Sequence, residues 1–383
     1  MTGPVPVLED LPDVAGKTVL VRCDFNVPLG PDGSIEDDLR VKAAVPTLRW
    51  LVERGARVRA CSHLGRPKGK PDERYAMAPV RARVDELMGV GAVEVMENLR
   101  FDPGEEANDP SFVERLVAGV DLYVDDAFGA AHRAHASIVG PPARGLPSAA
   151  GRLLAREVEV LSGLLDSPRK PFVVVLGGSK VSDKLAVIEA LLGVVDQVLV
   201  GGGMCFTFLR AIGHSVGASL LEDEMVETCA ALLARADGRI VVPEDVVGLS
   251  PEGVIGDRSA GGEVRSFGRS LPAGWKGLDV GPGTAAVFGD AISDAGTVFW
   301  NGPMGVFEDD RFAAGTRHVA QTMAETRAFT VVGGGDSASA LARFGLAGDV
   351  DWVSTGGGAS LELLENGDLP GLAALRGDDW KGS

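Results

Sequence analysis

The stretch FTVVGGGDSASALARF, residues 329–344, joins a buried-type strand to a glycine turn and a helix-forming run. Three glycines at 333–335 precede Asp336, which opens the helical run. A second stretch, WVSTGGGASLELL from residue 352, keeps the glycines but has Ala359 and Ser360 after them in place of an acid. A strand that runs through a tight turn into a helix is the repeating unit of a parallel α/β sheet. These stretches therefore predict an α/β fold with two related turns of different chemistry.

Composition limits the class of protein. The 383 residues are enough for about two domains, and 45% apolar with 24% charged residues is typical of a soluble globular protein. The formal net charge of −17 argues against a nucleic-acid-binding protein, which needs a basic face. The four cysteines show no CxxC spacing and predict neither a zinc site nor a disulfide framework. Because the N-terminus lacks the pattern of a secretory signal and no apolar run approaches about 18 residues, we expect a cytoplasmic protein.

Short valine-rich runs alternate with longer helical patterns along the chain, which predicts parallel sheets covered on both faces. We expect two doubly wound, Rossmann-like parallel-sheet domains that face a cleft and are joined by an interdomain helix. The strands are predicted near 17–22, 57–61, 92–96, 121–125, 172–176, 197–200, 239–242, 297–300, 329–332 and 351–354. The segment 146–171 opens with proline and small residues and continues as an amphipathic connecting helix that stops at Ser167-Pro168. The segment 248–277 reads as a glycine-rich loop with short strands of its own.

Ligands of open α/β sheets bind beyond the carboxyl ends of the strands, and the two halves of the chain differ there. The first half places mainly cationic and polar side chains after its strands: Arg22, Asp24, Asn26, His63, Arg66, Arg100, His132, Arg133 and His135. The second half places glycine turns and two lysines there. Arginine forks suit a small anion with several oxygens, whereas free amides at helix N-termini suit phosphate chains. The first half therefore predicts a small-anion site and the second a nucleotide site, with Asp336 holding a divalent cation.

Each of these signals has a structural alternative. Asp336 could be only a helix cap, Lys180 and Lys184 could be solvated, and Arg100 could merely brace the fold. His132 and His135 could be loop residues or a metal pair. We interpret the aromatic rings of Phe206 and Phe208 as core and not as a base platform. A dehydrogenase is not indicated, because the dinucleotide fingerprint GxGxxG is missing.

The ordered set of motifs resembles one family. RCDFNVP, DDLRVKAAVPTL, SHLGRPKG, DDAFGAAHRAHAS, LGGSKVSDK, GGGMCFTFL, WNGPMGVFE, VVGGGDSAS and STGGGASLELL follow one another as in phosphoglycerate kinase. The resemblance runs from about residue 17 to about residue 375. It implies an N-terminal domain (1–152) for 3-phosphoglycerate, an interdomain helix and hinge (153–171), a nucleotide domain (172–365), and a tail (366–383) that returns to the first domain. It also implies a monomeric, cytoplasmic, glycolytic transferase that works by hinge bending and does not act on nucleic acid or membrane.

The resemblance further implies individual roles. Arg40 and Lys180 would be catalytic, placed on the transferring phosphoryl group, and Lys184 would hold the nucleotide phosphates. Asp336 would carry Mg²⁺, with ATP or ADP as co-substrate. The implied substrate-binding residues are Asp24, Asn26, Arg40, His63, Arg66, Arg133 and Lys170. The implied nucleotide-binding residues are Lys180, Lys184, Gly202, Gly277, Asn301, Pro303, Glu308, Gly334, Gly335, Asp336 and Ser337.

Three positions depart from the usual family pattern. Cys23 replaces valine or methionine, which a buried apolar position tolerates. Asp125 replaces a common asparagine and adds a carboxylate near the anion site. Lys170 stands where an arginine is frequent, with Arg169 one residue earlier, and loses the guanidinium fork.

The implied reaction is in-line phosphoryl transfer between 1,3-bisphosphoglycerate and ADP, with domain closure and without a general base. Two other interpretations remain open on the sequence alone. One is a related acyl-phosphate kinase for another carboxylate, which substrate competition would reveal. The other is a nucleotide-binding paralogue that has lost the transfer activity.

Overall fold

A computed structural model describes residues 3–378 of the chain. These residues divide into two compact units, unit 1 (3–162 and 366–378) and unit 2 (163–365). No helix within this described part is long and apolar enough to cross a membrane.

Unit 1 is built on a parallel sheet whose strands alternate with helices. The strands are β1 (Thr18–Cys23), β2 (Arg57–Cys61), β3 (Val93–Val95), β4 (Leu122–Asp126) and β5 (Ser148–Ala150). The helices are α1 (Leu39–Glu53), α2 (Ala78–Met88), α3 (Pro110–Leu116), α4 (Ala136–Ala143) and α5 (Arg152–Asp166). The strand order is β3-β2-β1-β4-β5, so the direction of winding reverses between β1 and β4. That reversal is the switch point at which open α/β sheets bind ligands.

Unit 2 repeats this plan with one more strand and an inserted antiparallel sheet. Its strands are β6 (Phe172–Leu176), β7 (Gln197–Val200), β8 (Ile240–Val241), β9 (Asp245–Leu249), β10 (Val264–Gly268), β11 (Lys276–Val280), β12 (Thr297–Asn301), β13 (Phe329–Gly333) and β14 (Trp352–Val353). Its helices are α6 (Leu185–Leu191), α7 (Cys205–Ala211), α8 (Val226–Ala236), α9 (Pro282–Ser293), α10 (Ala314–Glu325), α11 (Gly335–Phe344) and α12 (Gly358–Asn366). The parallel sheet runs β14-β13-β12-β6-β7-β8, which puts the switch point between β6 and β12.

The predicted fold class, α/β with two parallel sheets, is confirmed, and the ten predicted strands match observed ones within about two residues at each end. The central strands are buried on both faces, as at Phe172–Leu176, which explains their near-continuous apolar sequence. The glycine-rich segment has short strands of its own, as predicted: β10 lies within it and pairs with β9, and β9 and β11, at its two ends, pair with each other. The core of each unit packs valine and leucine from the strands against the apolar sides of the helices.

The connecting helix, α5, lies within the predicted segment and ends next to Ser167-Pro168, as expected. Residues 148–150 form β5, an edge strand of small residues that the sequence pattern did not indicate, and α5 begins only at Arg152. The start is fixed by Asp126, whose Oδ1 accepts hydrogen bonds from the Leu153 amide at 2.9 Å and the Leu154 amide at 3.2 Å. A carboxylate that caps free amides in this way defines a helix N-terminus. The boundary between the two units falls within α5.

The end of the described chain belongs to unit 1. Helix α13 (Pro370–Arg376) packs against α4, and the Gly371 amide donates to the Ala131 carbonyl oxygen at 2.9 Å. The last residues of the predicted returning tail, 379–383, lie outside the described residues.

Candidate functional site

Polar and charged side chains gather at the carboxyl ends of β1 and β2 in unit 1. Asp24, which is only 4% exposed, forms an ion pair with Arg40, which is 35% exposed. The Gly65 amide donates to Asn26 Oδ1 at 2.8 Å, which fixes the loop that continues into Arg66. The first contact joins the loop after β1 to the start of α1, and the second joins it to the loop after β2. The side chain of Arg66, the next residue in that second loop, is exposed.

The imidazole of His63 is held in one protonation state. Nη2 of Arg22 lies 3.0 Å from His63 Nδ1, and a guanidinium can only donate a hydrogen bond. Nδ1 is therefore the acceptor, and the ring proton is on Nε2. Burial lowers the pKa of His63 well below its ordinary value, and the positive charges of Arg22, Arg100 and Arg40 lower it further. His63 is a neutral hydrogen-bond donor at neutral pH.

Arg133 adds charge from the loop after β4. Its side chain is exposed, and its Nε lies 3.2 Å from His132 Nε2. Burial lowers the pKa of both His132 and His135 to about 4, and nearby arginines contribute to each shift. These histidines are uncharged at neutral pH, so the positive charge of this region comes from arginines.

Two arginines of this group were noted at the strand ends but are not among the substrate residues that the resemblance implies. Arg22 is fully buried at the end of β1, and its Nε donates to Ser137 Oγ at 2.8 Å. Arg100 donates from Nη1 to the Gly65 carbonyl oxygen at 3.0 Å, so it does brace the loop before Arg66. Burial lowers the pKa of Arg100, an effect that Glu106 opposes and that the charges of Arg22 and Arg133 reinforce. Their position in the sequence could have indicated a role in the site, because both residues lie at or just beyond the carboxyl end of a strand.

We call the resulting group the cationic cluster. It consists of Arg22, Arg40, His63, Arg66, Arg100 and Arg133 together with the anchoring residues Asp24 and Asn26.

In unit 2 the carboxyl ends of β6, β12 and β13 surround a cavity of about 270 Å³. Predicted nucleotide residues supply much of its wall: Lys180, Lys184, Asn301, Gly334, Gly335, Asp336 and Ser337. A second cavity of about 530 Å³ shares Gly178, Ser179 and Asp336 with the first. Its wall contains the remaining predicted residues, Gly202, Gly277, Pro303 and Glu308. All eleven predicted nucleotide residues therefore line one or both of two adjoining cavities.

Glycine is required at particular points of these walls. Gly334 has φ +88° at the N-cap of α11, a conformation that side chains with a Cβ rarely adopt. Gly202 has φ +63°, and a Cβ there would lie 2.5 Å from the Gly178 amide nitrogen. A Cβ on Gly277 would overlap the ring of Phe206. Phe206 and Phe208 are both buried, which confirms that these rings belong to the core.

The first cavity presents hydrogen-bond donors to its interior. Lys184 Nζ donates to Asn301 Oδ1, and burial lowers the pKa of Lys184 to about 8 even though Asp183 and Asp336 act to raise it. Asn301 Nδ2 is buried and has no hydrogen-bond partner within residues 3–378. A buried donor without a partner is costly, and a ligand with acceptor oxygens would satisfy it.

The acidic side chains of this cavity could hold a divalent cation that is also bound by the phosphate groups of a ligand. Asp336 is exposed in the first turn of α11, and Asp183 also lines the cavity. No group of three or more His, Cys, Asp or Glu side chains within the described residues is arranged to hold a metal by itself. Mg²⁺ is commonly held by one or two carboxylates together with phosphate oxygens, and this donor set agrees with that mode.

Lys170 lies elsewhere in unit 2. It precedes β6, whereas the cavities lie beyond the other end of that strand. Its ammonium donates to the Val194 carbonyl oxygen and pairs with Asp196 at 3.1 Å. The structure therefore does not bring Lys170 to the cavities of unit 2, and its implied role as a substrate residue stays a prediction.

The fold and these sites define a class: an α/β protein of two units with a donor-rich site at each switch point. The phosphoglycerate kinase family model matches residues 8–96 and 88–367. The chain is 53% identical to phosphoglycerate kinase of Salinispora tropica, over 97% of this chain and 99% of that protein. It is 51% identical to the Rubrobacter xylanophilus protein of the same name, over 95% and 96% of the two chains. The structure of phosphoglycerate kinase from Coxiella burnetii aligns with a TM-score of 0.88 and 38% identity, over 98% and 99%.

The chain therefore belongs to the phosphoglycerate kinase family, which is a family of enzymes.

Proposed function

We propose that the chain catalyses reversible phosphoryl transfer from 1,3-bisphosphoglycerate to ADP, which gives ATP and 3-phosphoglycerate. Family membership supports the activity. The observation that carries the proposal is the separation of chemistry between the units. Arginine side chains concentrate positive charge at the switch point of unit 1, and glycine amides with two lysines line the cavities of unit 2.

The cationic cluster is the proposed site of the three-carbon acid. The substrate has negative charge at both ends, and guanidinium groups hold carboxylate and phosphate oxygens in bidentate fashion. Asp24 orients Arg40 through their ion pair. His63 offers a neutral N–H donor from Nε2, because Arg22 occupies Nδ1. These three residues suit binding and orientation and do not need to transfer protons.

The two cavities of unit 2 are the proposed nucleotide site. The phosphates would meet Lys180, Lys184 and the N-termini of α11 and α12, where free amides and the helix dipole favour negative charge. The more apolar second cavity would take the nucleoside, with Glu308 toward the ribose. Asp336 would hold Mg²⁺, which supplies charge neutralisation on the phosphate oxygens when it is bound with the nucleotide.

The chemistry requires positioning and charge but no general base. A carboxylate with a pKa of roughly 3.5 is already ionised at neutral pH and can attack the terminal phosphorus of ATP. Arg40 and Lys180 would stabilise the negative charge on the transferring group. We further propose that closure about the α5 region excludes water, which would otherwise hydrolyse the acyl phosphate. A monomeric, cytoplasmic enzyme is the accompanying expectation from the family.

A coupled assay with 3-phosphoglycerate and MgATP tests this proposal. We expect activity in the wild type and a loss of about 3 kcal/mol or more in transition-state stabilisation in Arg40→Ala, since the transferring group loses a positive charge. Nucleotide affinity should change little. Arg49→Ala is the matched control, because Arg49 is exposed on the same helix, α1.

The outcomes separate the alternatives. A wild type without activity contradicts the proposed function. Activity that survives Arg40→Ala contradicts only the role of Arg40. Activity with another carboxylate that 3-phosphoglycerate does not inhibit would indicate a different acyl-phosphate kinase.

A further inference from the structure

Asp125 is a buried carboxyl group that the proposed reaction does not use. Its side chain is fully inaccessible to solvent at the end of β4. Oδ1 accepts a hydrogen bond from the Ala127 amide at 3.0 Å, while Oδ2 has no hydrogen-bond partner within the described chain. Burial raises the pKa of Asp125 to about 6, although the Ala127 amide and the charge of Arg22 lower it. A carboxyl group in this state can change its charge near neutral pH.

The register of the sheet places Asp125 beside Arg22. Strands β1 and β4 are parallel neighbours, and Arg22 is paired with Asp125 across them. Adjacent strands are about 4.8 Å apart, and paired residues of parallel strands project from the same face of the sheet. Arg22 has no carboxylate within 4 Å among residues 3–378, so its charge is balanced at longer range, first by Glu105 and then by Asp24 and Asp125.

Arg22 links this carboxyl group to the cationic cluster. Its Nη2 donates to His63 Nδ1 at 3.0 Å, which fixes the ring and leaves Nε2–H for a ligand. Asp125 thus acts on Arg22 by charge from the neighbouring strand, and Arg22 in turn contacts His63 of the proposed substrate site. A negative charge that binds at this site would lie near the same guanidinium that balances Asp125.

We infer that Asp125 is a positioning residue whose carboxyl group takes up a proton when the anionic substrate binds the cationic cluster. The inference rests on the proposed function. Two unit negative charges about 10 Å apart, in an effective dielectric of about 20, repel each other enough to change an equilibrium constant by roughly tenfold. Proton uptake by Asp125 removes this repulsion and leaves Arg22 to the substrate and His63.

The other titratable groups near Arg22 on this face are Cys61 on β2, Tyr123 on β4 and the buried Glu105. Burial raises the pKa of Cys61 to about 12 and that of Tyr123 well above its ordinary value, and Glu105 accepts hydrogen bonds from the Ser137 amide at 3.0 Å and the Ser137 hydroxyl at 2.6 Å. The residues of β5 and α4 that pack against β4 carry no titratable side chain. Asp126, which projects from the opposite face of β4, is the other buried carboxyl group of this strand, and burial raises its pKa to about 7.

Asp126 provides a matched control. It is adjacent to Asp125 in the chain, equally buried, and its register partner is Cys23, so it projects from the opposite face of the sheet from Arg22. Replacement of either acid by asparagine preserves shape and removes one ionisable group. The two variants therefore separate a change in charge beside Arg22 from a general loss of buried charge in β4.

Isothermal titration calorimetry of 3-phosphoglycerate binding to the full chain tests the inference. At pH 6.5, measured in two buffers with different ionisation enthalpies, the wild type should take up about half a proton more than Asp125→Asn. Comparison of variants cancels the ionisation of the substrate's own phosphate. Asp126→Asn should keep the wild-type proton count.

The affinities should agree with the proton counts. Because the complex binds the extra proton, wild-type affinity contains a component that rises as the pH falls through the pKa of Asp125. Asp125→Asn lacks this component, so it should bind roughly tenfold tighter than the wild type at pH 8 and within twofold of it at pH 5. Equal proton counts in wild type and Asp125→Asn, or weaker binding by the variant at pH 8, would overturn the inference.

A titration with sulfate tests the inference if Asp125→Asn does not fold or if 3-phosphoglycerate does not bind. Sulfate keeps a constant charge over this pH range and serves as the anion if Asp125→Asn does not fold. The wild type and Asp126→Asn should both take up protons on binding sulfate, and no uptake overturns the inference. If 3-phosphoglycerate does not bind the wild type at all, the proposed function fails, and the sulfate titration still decides the role of Asp125.

Discussion

The two units share a sheet topology but place different chemical groups at the switch point. Both sheets share the strand order 3-2-1-4-5, counted within each unit, and both place polar groups at the switch point. Unit 1 has the charged pair Arg22 and Asp125 across its switch point, whereas unit 2 has Leu176 and Asn301 in register there. In the proposed function, side-chain cations hold the anion in the first case, and backbone amides with two lysines do so in the second.

Each solution has its own structural cost. A fully buried guanidinium such as Arg22 needs acceptors and counter-charges around it, and the buried acids Asp125 and Asp126 have raised pKa values as a result of the same burial. Amides need a backbone that approaches closely, which unit 2 achieves with glycines at positive φ, such as Gly202 and Gly334. Unit 1 should therefore respond to changes of charge, and unit 2 to changes of backbone shape.

The largest effect is expected from Gly202→Ala. The residue has φ +63°, and its Cβ would contact the Gly178 amide nitrogen and, at 2.8 Å, the Pro303 carbonyl oxygen. We expect the dissociation constant of the nucleotide to rise by about 100-fold or more, because strain of about 1–3 kcal/mol adds to a displaced cavity wall. Calorimetry with MgADP measures it, and binding of 3-phosphoglycerate should not change.

Gly213→Ala is the control for backbone strain alone. Gly213 also has a positive φ, +92°, but nothing lies within 4 Å of its added Cβ. It should lower stability slightly and leave nucleotide affinity within about twofold. Equal losses of nucleotide affinity in the two variants would show that the steric clash of a Cβ at position 202 does not cause the loss.

A smaller effect on nucleotide affinity is expected from removing the charge of Lys184, which lines the first cavity of unit 2. The pKa of Lys184 is lowered to about 8, so the lysine is charged below that pH and loses its charge above it. Nucleotide affinity of the wild type should fall as the pH rises from 7 to 9. Lys184→Met should bind roughly tenfold to 100-fold more weakly at pH 7, since a hydrogen bond to a charged group contributes about 1.5–3 kcal/mol.

The pH profile makes the test of Lys184 specific. Lys184→Met should lose the decrease in affinity above pH 8, and Lys184→Arg should lose it as well, because guanidinium stays charged. A wild-type profile that is flat between pH 7 and 9 would contradict the assignment.

The smallest effect is expected from Lys170→Ala. Lys170 is engaged with Val194 and Asp196 before β6, away from the cavities of unit 2. The KM for 3-phosphoglycerate should change by less than twofold, whereas Arg133→Ala should raise it clearly. A tenfold rise of this KM in Lys170→Ala would indicate that Lys170 binds the substrate. A cation of unit 2 would then contribute to the site that we assign to unit 1.

Local sequence was sufficient for most of unit 2. The glycine turns follow strongly apolar strands, and each of the eleven residues for which the resemblance implies nucleotide binding lines a cavity. It was less sufficient in unit 1, where Arg22 and Arg100 were noted at the strand ends but received no role in the implied substrate site. The reason is physical, because the role of an arginine depends on which groups surround its guanidinium. Those groups, such as Ser137 for Arg22, are far away in the sequence.

The amino-acid sequence by itself determined the α/β class, the places of the strands and the turns that require glycine, because burial periodicity and positive φ are local properties. The tertiary structure alone decided that Asp125 faces Arg22, that Asp126 caps α5 and that Lys170 lies at the other end of β6 from the cavities. It also decided the short edge strand β5 and the antiparallel insert of β9 and β11. Register and pairing between distant segments follow from packing and hydrogen bonding in three dimensions, which no short stretch of sequence encodes.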